Sequence, residues 1–420
     1  MHYKHKTLAL VGLILAGEAI FALPFHIARF FRPMLLEVFV LTPTQLGLAQ
    51  GMYGIIAMIA YFPGGILADR FAANKLMAMS LWMTALGGLY MSTFPSVNGS
   101  IVLFGFFGMT TIMLFWGSLI RATRLWGDIH QQGLAFGVLE GGRGLLAVVL
   151  ASLGIYLFQL SFPSGYDLAG YAEKKEVLRI IILAYTLVTS LIGLYVWFAL
   201  KTVSIQPLEN IERKSWNDIV HNLKNIIALP SVWLLSLIVI CAYTGYKGFD
   251  NYALFAVDVY HYNDIEAARL VTLAAWTRPV AAVAIGLLAD KLNPVKMLFG
   301  CFATLCFSHL YFAVFPPNYG IAWLFIANIL LTCIVIFGLR SLYFAVFESV
   351  KIPFVAMGTA VGFVSVIGFT PDIFVLYVAG YFIDNFPGIN GHQYFFIFLA
   401  SFSFIGMMAS ILLTRCMSNK

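Results

Sequence analysis

Long apolar stretches, separated by short polar or charged breaks, repeat from one end of the chain to the other. A segment of about 20 apolar residues crosses the hydrocarbon of a bilayer as a helix, and that rule predicts about twelve such helices here. The first six run approximately over Leu8 to Phe30, Gln45 to Ala68, Leu76 to Phe94, Ser100 to Leu119, Gly133 to Phe158 and Leu178 to Leu200. A polar stretch, KTVSIQPLENIERKSWNDIVHNLKN, then interrupts the pattern from Lys201. Six more follow: Val232 to Val257, Ala267 to Ala289, Lys296 to Phe315, Tyr319 to Phe337, Val355 to Ile383 and Tyr394 to Leu413. The expected organisation is an all-α integral membrane protein, with a six-helix bundle over 1–200, a linker over 201–230 and a second bundle over 231–420.

Composition agrees with lipid as the main solvent. Hydrophobic residues make up 61% of the chain and charged ones 10%, with a mean hydropathy of +0.89. That leaves too little polar surface to cover a soluble globule. The first apolar stretch is interrupted by charge, is too long for the core of a signal peptide and lacks a small-residue cleavage site after it, so it reads as a retained helix. Cys241, Cys301, Cys306, Cys333 and Cys416 have no CxxC or metal spacing, and four lie inside apolar runs. They read as packing residues.

Lysine and arginine set the orientation. With a cytoplasmic amino terminus, Lys4, Lys6, Arg70, Lys75, Arg121, Arg124, Arg213, Lys214, Lys224, Lys291, Lys296, Lys351, Arg415 and Lys420 all fall inside. Arg32, Lys174 and Lys175 remain outside, with Arg29 and Arg179 near that face. This is the positive-inside asymmetry, and it places both termini in the cytoplasm. The net charge of +6 is accounted for by cationic loops facing anionic headgroups and calls for no nucleic-acid partner.

One phrase occurs twice. GGILADR begins at Gly64 and GLLADK at Gly286, each at the cytoplasmic end of the second helix of its half. Asp69 and Asp290 are 221 residues apart, and the same offset relates Gly65 to Gly286, Arg70 to Lys291 and Lys75 to Lys296. The chain therefore reads as a duplicated six-helix unit. These residues resemble the major facilitator superfamily, whose loop between the second and third helices carries G-x-L-A-D-R-x-G-R-K. The match runs through Asp69 and Arg70; Ala72, Ala73 and Asn74 then depart from it, as do Leu292, Asn293 and Pro294 in the second copy. The resemblance implies two pseudo-symmetric bundles, a solute site at their interface near the bilayer midplane, and access that alternates between the two sides. It also implies a cytoplasmic gate at Gly65, Asp69, Arg70, Gly286, Asp290 and Lys291. Small residues there permit close helix approach, and the aspartates can accept from helix amino termini or pair with arginine.

Charge at the depth of the midplane is costly and usually functional. At about 1.5 Å per residue, Glu18 lies about 15 Å into the first helix. Glu140 and Arg143 on the fifth helix and Arg278 on the eighth reach similar depth; His26, Arg29, Lys247, Asp250 and Asp372 lie further outward. Glu140 and Arg143 are three apart and share a helix face, where they can pair. They divide evenly between a structural ion pair and a substrate site. The offset maps His26 onto Lys247 and Arg29 onto Asp250, which puts polar groups at matching heights on the first and seventh helices. His26 and Arg29 can alternatively snorkel to the outer interface. Glu18 has no basic residue one turn away, and a buried carboxyl of that kind is a natural proton carrier. Arg278 precedes Pro279, and Asp372 follows Pro371 in a broken-helix signal, which suits either a proton site or a structural partner for a base. Tyr243 and Tyr246 beside Lys247, and Trp276 beside Arg278, lie within a turn of a buried cation and can add cation–π contacts.

No nucleotide-hydrolysis loop, HExxH or clustered metal ligands appear, so no cofactor, metal or enzymatic activity is expected. The resulting expectation is a proton-coupled secondary transporter of the plasma (bacterial inner) membrane, acting as a monomer on a small carboxylate-bearing solute, an organic anion or amino acid. Arg143, Arg278, Lys247, Tyr243, Tyr246, Trp276, His26 and Arg29 are its candidate solute ligands. Glu18, Glu140, Asp250 and Asp372 are its candidate proton carriers. A membrane sensor that binds solute without moving it, and a nitrate-type transporter, remain as alternatives.

Overall fold

A computed structural model describes residues 3–127, 132–161, 169–201, 224–315, 322–349 and 354–418. The described residues are helical almost throughout, and ten helical runs are long and apolar enough to cross a membrane. In the first half α1 (Tyr3–Ala19) continues through a π-helical turn, Ala22–His26, into α2 (Ile27–Phe30) and α3 (Arg32–Phe39). Then come α4 (Pro43–Arg70), α5 (Ala73–Met91), α6 (Val97–Met109), a second π-helical turn at Thr110–Trp116, α7 (Gly117–Trp126), α8 (Gln132–Ser161) and α9 (Tyr171–Ala199).

The second half contains α10 (Pro230–Gly248), α11 (Tyr252–Tyr260), α12 (Asp264–Ala275), α13 (Thr277–Lys291), α14 (Pro294–Val314), α15 (Ala322–Ser349), α16 (Phe354–Gly368), α17 (Pro371–Asn385) and α18 (Ile389–Ser418). Helices α5 and the pair α12–α13 occupy the places of the third and eighth expected spans without being among the ten long apolar runs. The linker expected over 201–230 lies mostly outside the described residues, which resume at Lys224.

The duplication is visible in backbone detail. Val40 and His261, 221 positions apart, both take left-handed backbone conformations, with φ of 54° and 58°. Each sits in the turn between the first and second helices of its half. Thr42 then caps α4 through a reciprocal box with Gln45, and Asn263 caps α12 through the same box with Glu266. Both boxes satisfy two backbone N–H groups that a helix start leaves open. At the far ends, the Phe71 N–H bonds the Leu67 carbonyl and the Leu292 N–H that of Leu288, again at equivalent positions.

The two ends of the molecule differ. One end gathers Lys6, Asn74, Trp126 and Trp197: the Trp126 indole donates to the Lys6 carbonyl at 2.7 Å and the Asn74 amide to that of Trp197 at 3.0 Å. At the opposite end the halves close on each other along α4 and α17. A β-carbon on Gly51 would lie 2.6 Å from the Ile373 carbonyl oxygen, and one on Gly54 2.8 Å from the Asp372 carbonyl carbon. Glycines on the α4 face let the α17 backbone approach this tightly. The Thr44 N–H donates to Asp384 at 2.9 Å across the same seam.

Close packing changes the reading of the repeated loop. A β-carbon at Gly65 would touch nothing within 4 Å, whereas one at Gly64 would lie 2.9 Å from the Met113 carbonyl oxygen. The close approach therefore belongs to Gly64, one residue earlier, because the α4 face turned toward the π-helical turn carries Gly64 and Ala68. Asp69 and Arg70 are exposed, and the loop is closed instead by Arg121, which bonds the Ala68 carbonyl and reaches that of Phe71 at 3.5 Å. The side chains of Asp290 and Lys291, and the surroundings of Gly286, lie outside the described residues.

Candidate functional site

A cavity of about 870 Å³, counting space open to solvent, lies between the two halves. Its walls come from the α1–α2 segment, α4, the α6–α7 segment, α8, α10, α13, α15 and α16–α17. Two helix irregularities aim its ligating side chains. The π-helical turn at Ala22–His26 contains Pro24, which has no N–H to give the ladder, and the widened turn carries His26 and Arg29 into the cavity. Between α16 and α17 the helix breaks at Phe369 and Thr370, before Pro371, and this sets Asp372 at the start of α17.

Glu18 is the centre of one charged cluster. Its Oε1 accepts from Arg278 Nη1 at 3.1 Å and lies 3.2 Å from His26 Nε2, and its Oε2 lies 3.2 Å from Arg143 Nε. Arg143 also donates to the Gly17 carbonyl at 2.9 Å and bonds Glu140, while Arg278 Nη2 lies 3.6 Å from Glu140. The carboxyl without an evident partner in the sequence thus has cations from α8 and α13, which local spacing along α1 could not reveal.

A second cluster lies beyond it. Arg29 Nε bonds Asp250 Oδ1, and Lys247 Nζ lies 3.2 Å both from Asp250 Oδ2 and from Asp372 Oδ1. The Tyr243 hydroxyl donates to Asp372 at 3.0 Å. Aromatic faces cover the cations: Lys247 sits 4.4 Å from the Phe25 ring centre and Arg29 4.8 Å from that of Tyr246.

Arg340 on α15 was not among the expected ligands. It lines the cavity 4.1 Å from the centre of the Tyr246 ring, bonds the Tyr343 hydroxyl, and has no carboxylate within ion-pair distance among the described residues. Five permanent cations (Arg29, Arg143, Lys247, Arg278, Arg340) therefore meet four carboxylates (Glu18, Glu140, Asp250, Asp372), an excess of one positive charge with His26 neutral. Tyr53, Tyr61 and Trp116 also line the cavity and were missed too. Trp276, expected beside Arg278, is instead 44% exposed. It stands at the joint between α12 and α13, where the chain turns it outward while Arg278 points in. Among the described residues no cluster of His, Cys, Asp or Glu could hold a metal.

Comparison with known proteins fits this geometry. The family model described as Major Facilitator Superfamily matches residues 14–374. Two Escherichia coli K12 proteins are similar over most of their length. The inner membrane protein YihN is 27% identical over 426 residues, covering 99% of this chain and 97% of YihN. The inner membrane protein YqcE is 26% identical over 357 residues, covering 83% and 81%. Among solved structures, a bacterial homologue of the human lysosomal transporter Spinster, captured inward-facing and unoccupied, superposes with a TM-score of 0.76 at 14% identity, covering 100% of this chain and 99% of that one.

Proposed function

The chain belongs to the major facilitator superfamily, and we propose that it is a secondary transporter of a small carboxylate-bearing solute, an organic anion or amino acid, coupled to protons. It is a multi-pass membrane protein, and its kinship with YihN and YqcE supports the bacterial inner membrane as its place. The reading takes twelve spans in two bundles joined by the 201–230 linker, both termini cytoplasmic, and a monomer as the working unit. Tight packing along α4 and α17 supports a conformation closed toward the outside, with the cavity reached from the cytoplasm.

The observation that carries the substrate class is Arg340, a cation in the cavity wall with the Tyr246 face against it, the Tyr343 hydroxyl beside it and, among the described residues, no carboxylate within ion-pair distance. A lone guanidinium in a low-dielectric site costs several kcal/mol unless it gains a counter-charge. A solute carboxylate supplies one, and the guanidinium's planar fork suits two parallel bonds to it. The surrounding tyrosines and phenylalanines cover the apolar part of the solute. Coupling follows from Glu18, which shares Arg278 across the two halves. Protonation of Glu18 frees Arg278 for the solute, and loss of the proton returns Arg278 to Glu18 and expels it. Glu140, Asp250 and Asp372 are the other groups able to pass that proton. Purified protein should be stabilised by its solute in a thermal-shift screen of carboxylates, amino acids and neutral sugars. Stabilisation by sugars alone, unchanged in Arg340→Gln, would remove the anion reading.

A further inference from the structure

One helical turn beyond Arg29, away from the cavity, Arg32 is completely buried. Its Nη1 donates to Gln50 Oε1 at 3.3 Å, and its Nε and Nη2 have no partner among the described residues. Gln50, 1% exposed, has a free Nε2 as well. No carboxylate among the described residues lies within ion-pair distance of Arg32. The nearest acids by charge are Asp250 and Asp384. Asp250 is already held by Arg29 and Lys247, and Asp384 accepts the Thr44 N–H.

The free donors are not scattered. Nε and Nη2 lie along one edge of the guanidinium, the side-on edge that grips a planar oxyanion through two parallel hydrogen bonds. Buried polar groups almost always have partners, and a charged group pays most when it lacks one. Arg32 is not part of the central cavity's lining, which Arg29 reaches one turn earlier. Nor does it seal the end of the molecule, where Thr44 and Asp384 do so.

We propose that Arg32, assisted by Gln50, forms a second oxyanion site, matched to one planar carboxylate group, when the halves part along the α4–α17 seam; in the present conformation both side chains are shut off from any space that could hold it. Arg29 and Arg32 then make two successive cationic stations, about 4.5 Å apart along the axis at helical rise. A carboxylate reaching the outer station lies one turn from the inner one, and rupture of a single ion pair connects them. The site stands or falls independently of which solute the central cavity carries.

The test uses full-length protein in detergent and [13C]formate as probe, with line broadening as readout, which suits weak and fast binding. Arg340→Met protein, its central anion site weakened, should still broaden formate saturably. Arg340→Met combined with Arg32→Met should lose that broadening, and combined with Arg32→Lys, which keeps the charge but not the two-donor edge, should lose about tenfold in affinity. Gln50→Met, a milder change in case the arginine variants fold poorly, should weaken it several-fold. [13C]succinate distinguishes the source: broadening by succinate as well as formate assigns the site to the head of a larger passing solute, and formate alone assigns it to a small free anion. Undiminished formate broadening in the folded Arg340→Met/Arg32→Met protein, or none in Arg340→Met, would overturn the proposal and leave water as the partner of the free donors.

Discussion

Arg29 and Asp250 occupy the same position in the two repeats, 221 residues apart, and they are bonded to each other. The pseudo-twofold relation therefore passes close to this bond, which joins the halves on their common axis. Equivalent rings flank it: Phe25 is covered by Lys247 and its counterpart Tyr246 by Arg29, each contact running from one half to the other. A charge pair on the axis must separate or shear whenever the halves rock.

Removing one partner of this bond leaves the other charge buried. Arg29→Ala and Asp250→Ala should each cost about 3–5 kcal/mol in stability. The exchanged pair, Arg29→Asp with Asp250→Arg, should recover part of that loss, because the pair sits on the axis. Chemical unfolding in detergent reads the difference, and a double variant no more stable than either single one would deny the coupling.

The α4–α17 seam permits a second test. Gly51→Val inserts a β-branched side chain against the Ile373 carbonyl, so the closed arrangement becomes inaccessible while the open one is undisturbed. A single cysteine on the cavity wall near Tyr53 should then react faster with a membrane-impermeant reagent added outside. Equal rates in the two proteins would place the seam away from the gate.

Asp69 is exposed and its side chain makes no hydrogen bond or ion pair with the described residues in this conformation, so Asp69→Asn should leave thermal stability and solute binding unchanged. If its contacts form in the opposite state, solute exchange should fall at least several-fold. Loss of binding in a folded protein would exclude the latch reading.

Much of this site was legible in the sequence, for a physical reason. Charges inside apolar runs are expensive in lipid, so Glu18, Arg143, Lys247, Arg278 and Asp372 stood out one by one, and a fixed offset made Arg29 and Asp250 equivalent positions at matching heights, though not bonded partners. Pro371 marked a real break in the helix. Side-chain direction was less legible. Gly65 and Trp276 were assigned to faces they do not occupy, since one residue of helix is a turn of about 100° and the π-helical turns shift register without a sequence signature. Arg340 was missed because the apolar run was ended at Phe337. The helix continues to Ser349, and the apolar residues of SLYFAVF were the available signal. The partners of Glu18 were invisible for a different reason: they come from α8 and α13, and no local spacing encodes a contact between helices.

Arg340→Gln removes the cation that lacks a carboxylate within ion-pair distance and keeps a hydrogen-bonding side chain. Solute affinity should drop at least about tenfold, equivalent to 1.4 kcal/mol, while the melting temperature without solute stays the same or rises. Unchanged affinity would return the anion-holding role to Arg143 and Arg278.

The account's central claim is that a carboxylate solute and ionised Glu18 compete for Arg278, so that a proton on Glu18 hands Arg278 to the solute. Glu18→Gln keeps the shape of the side chain and removes its titration. The decisive measurement is made in proteoliposomes with the solute found by thermal shift, comparing exchange at equal pH with accumulation under an imposed pH gradient. The variant should exchange solute across the membrane and fail to concentrate it. Concentration equal to that of the parent protein would contradict the claim, and the proton would then have to travel by Asp372, Asp250 or Glu140, or not at all.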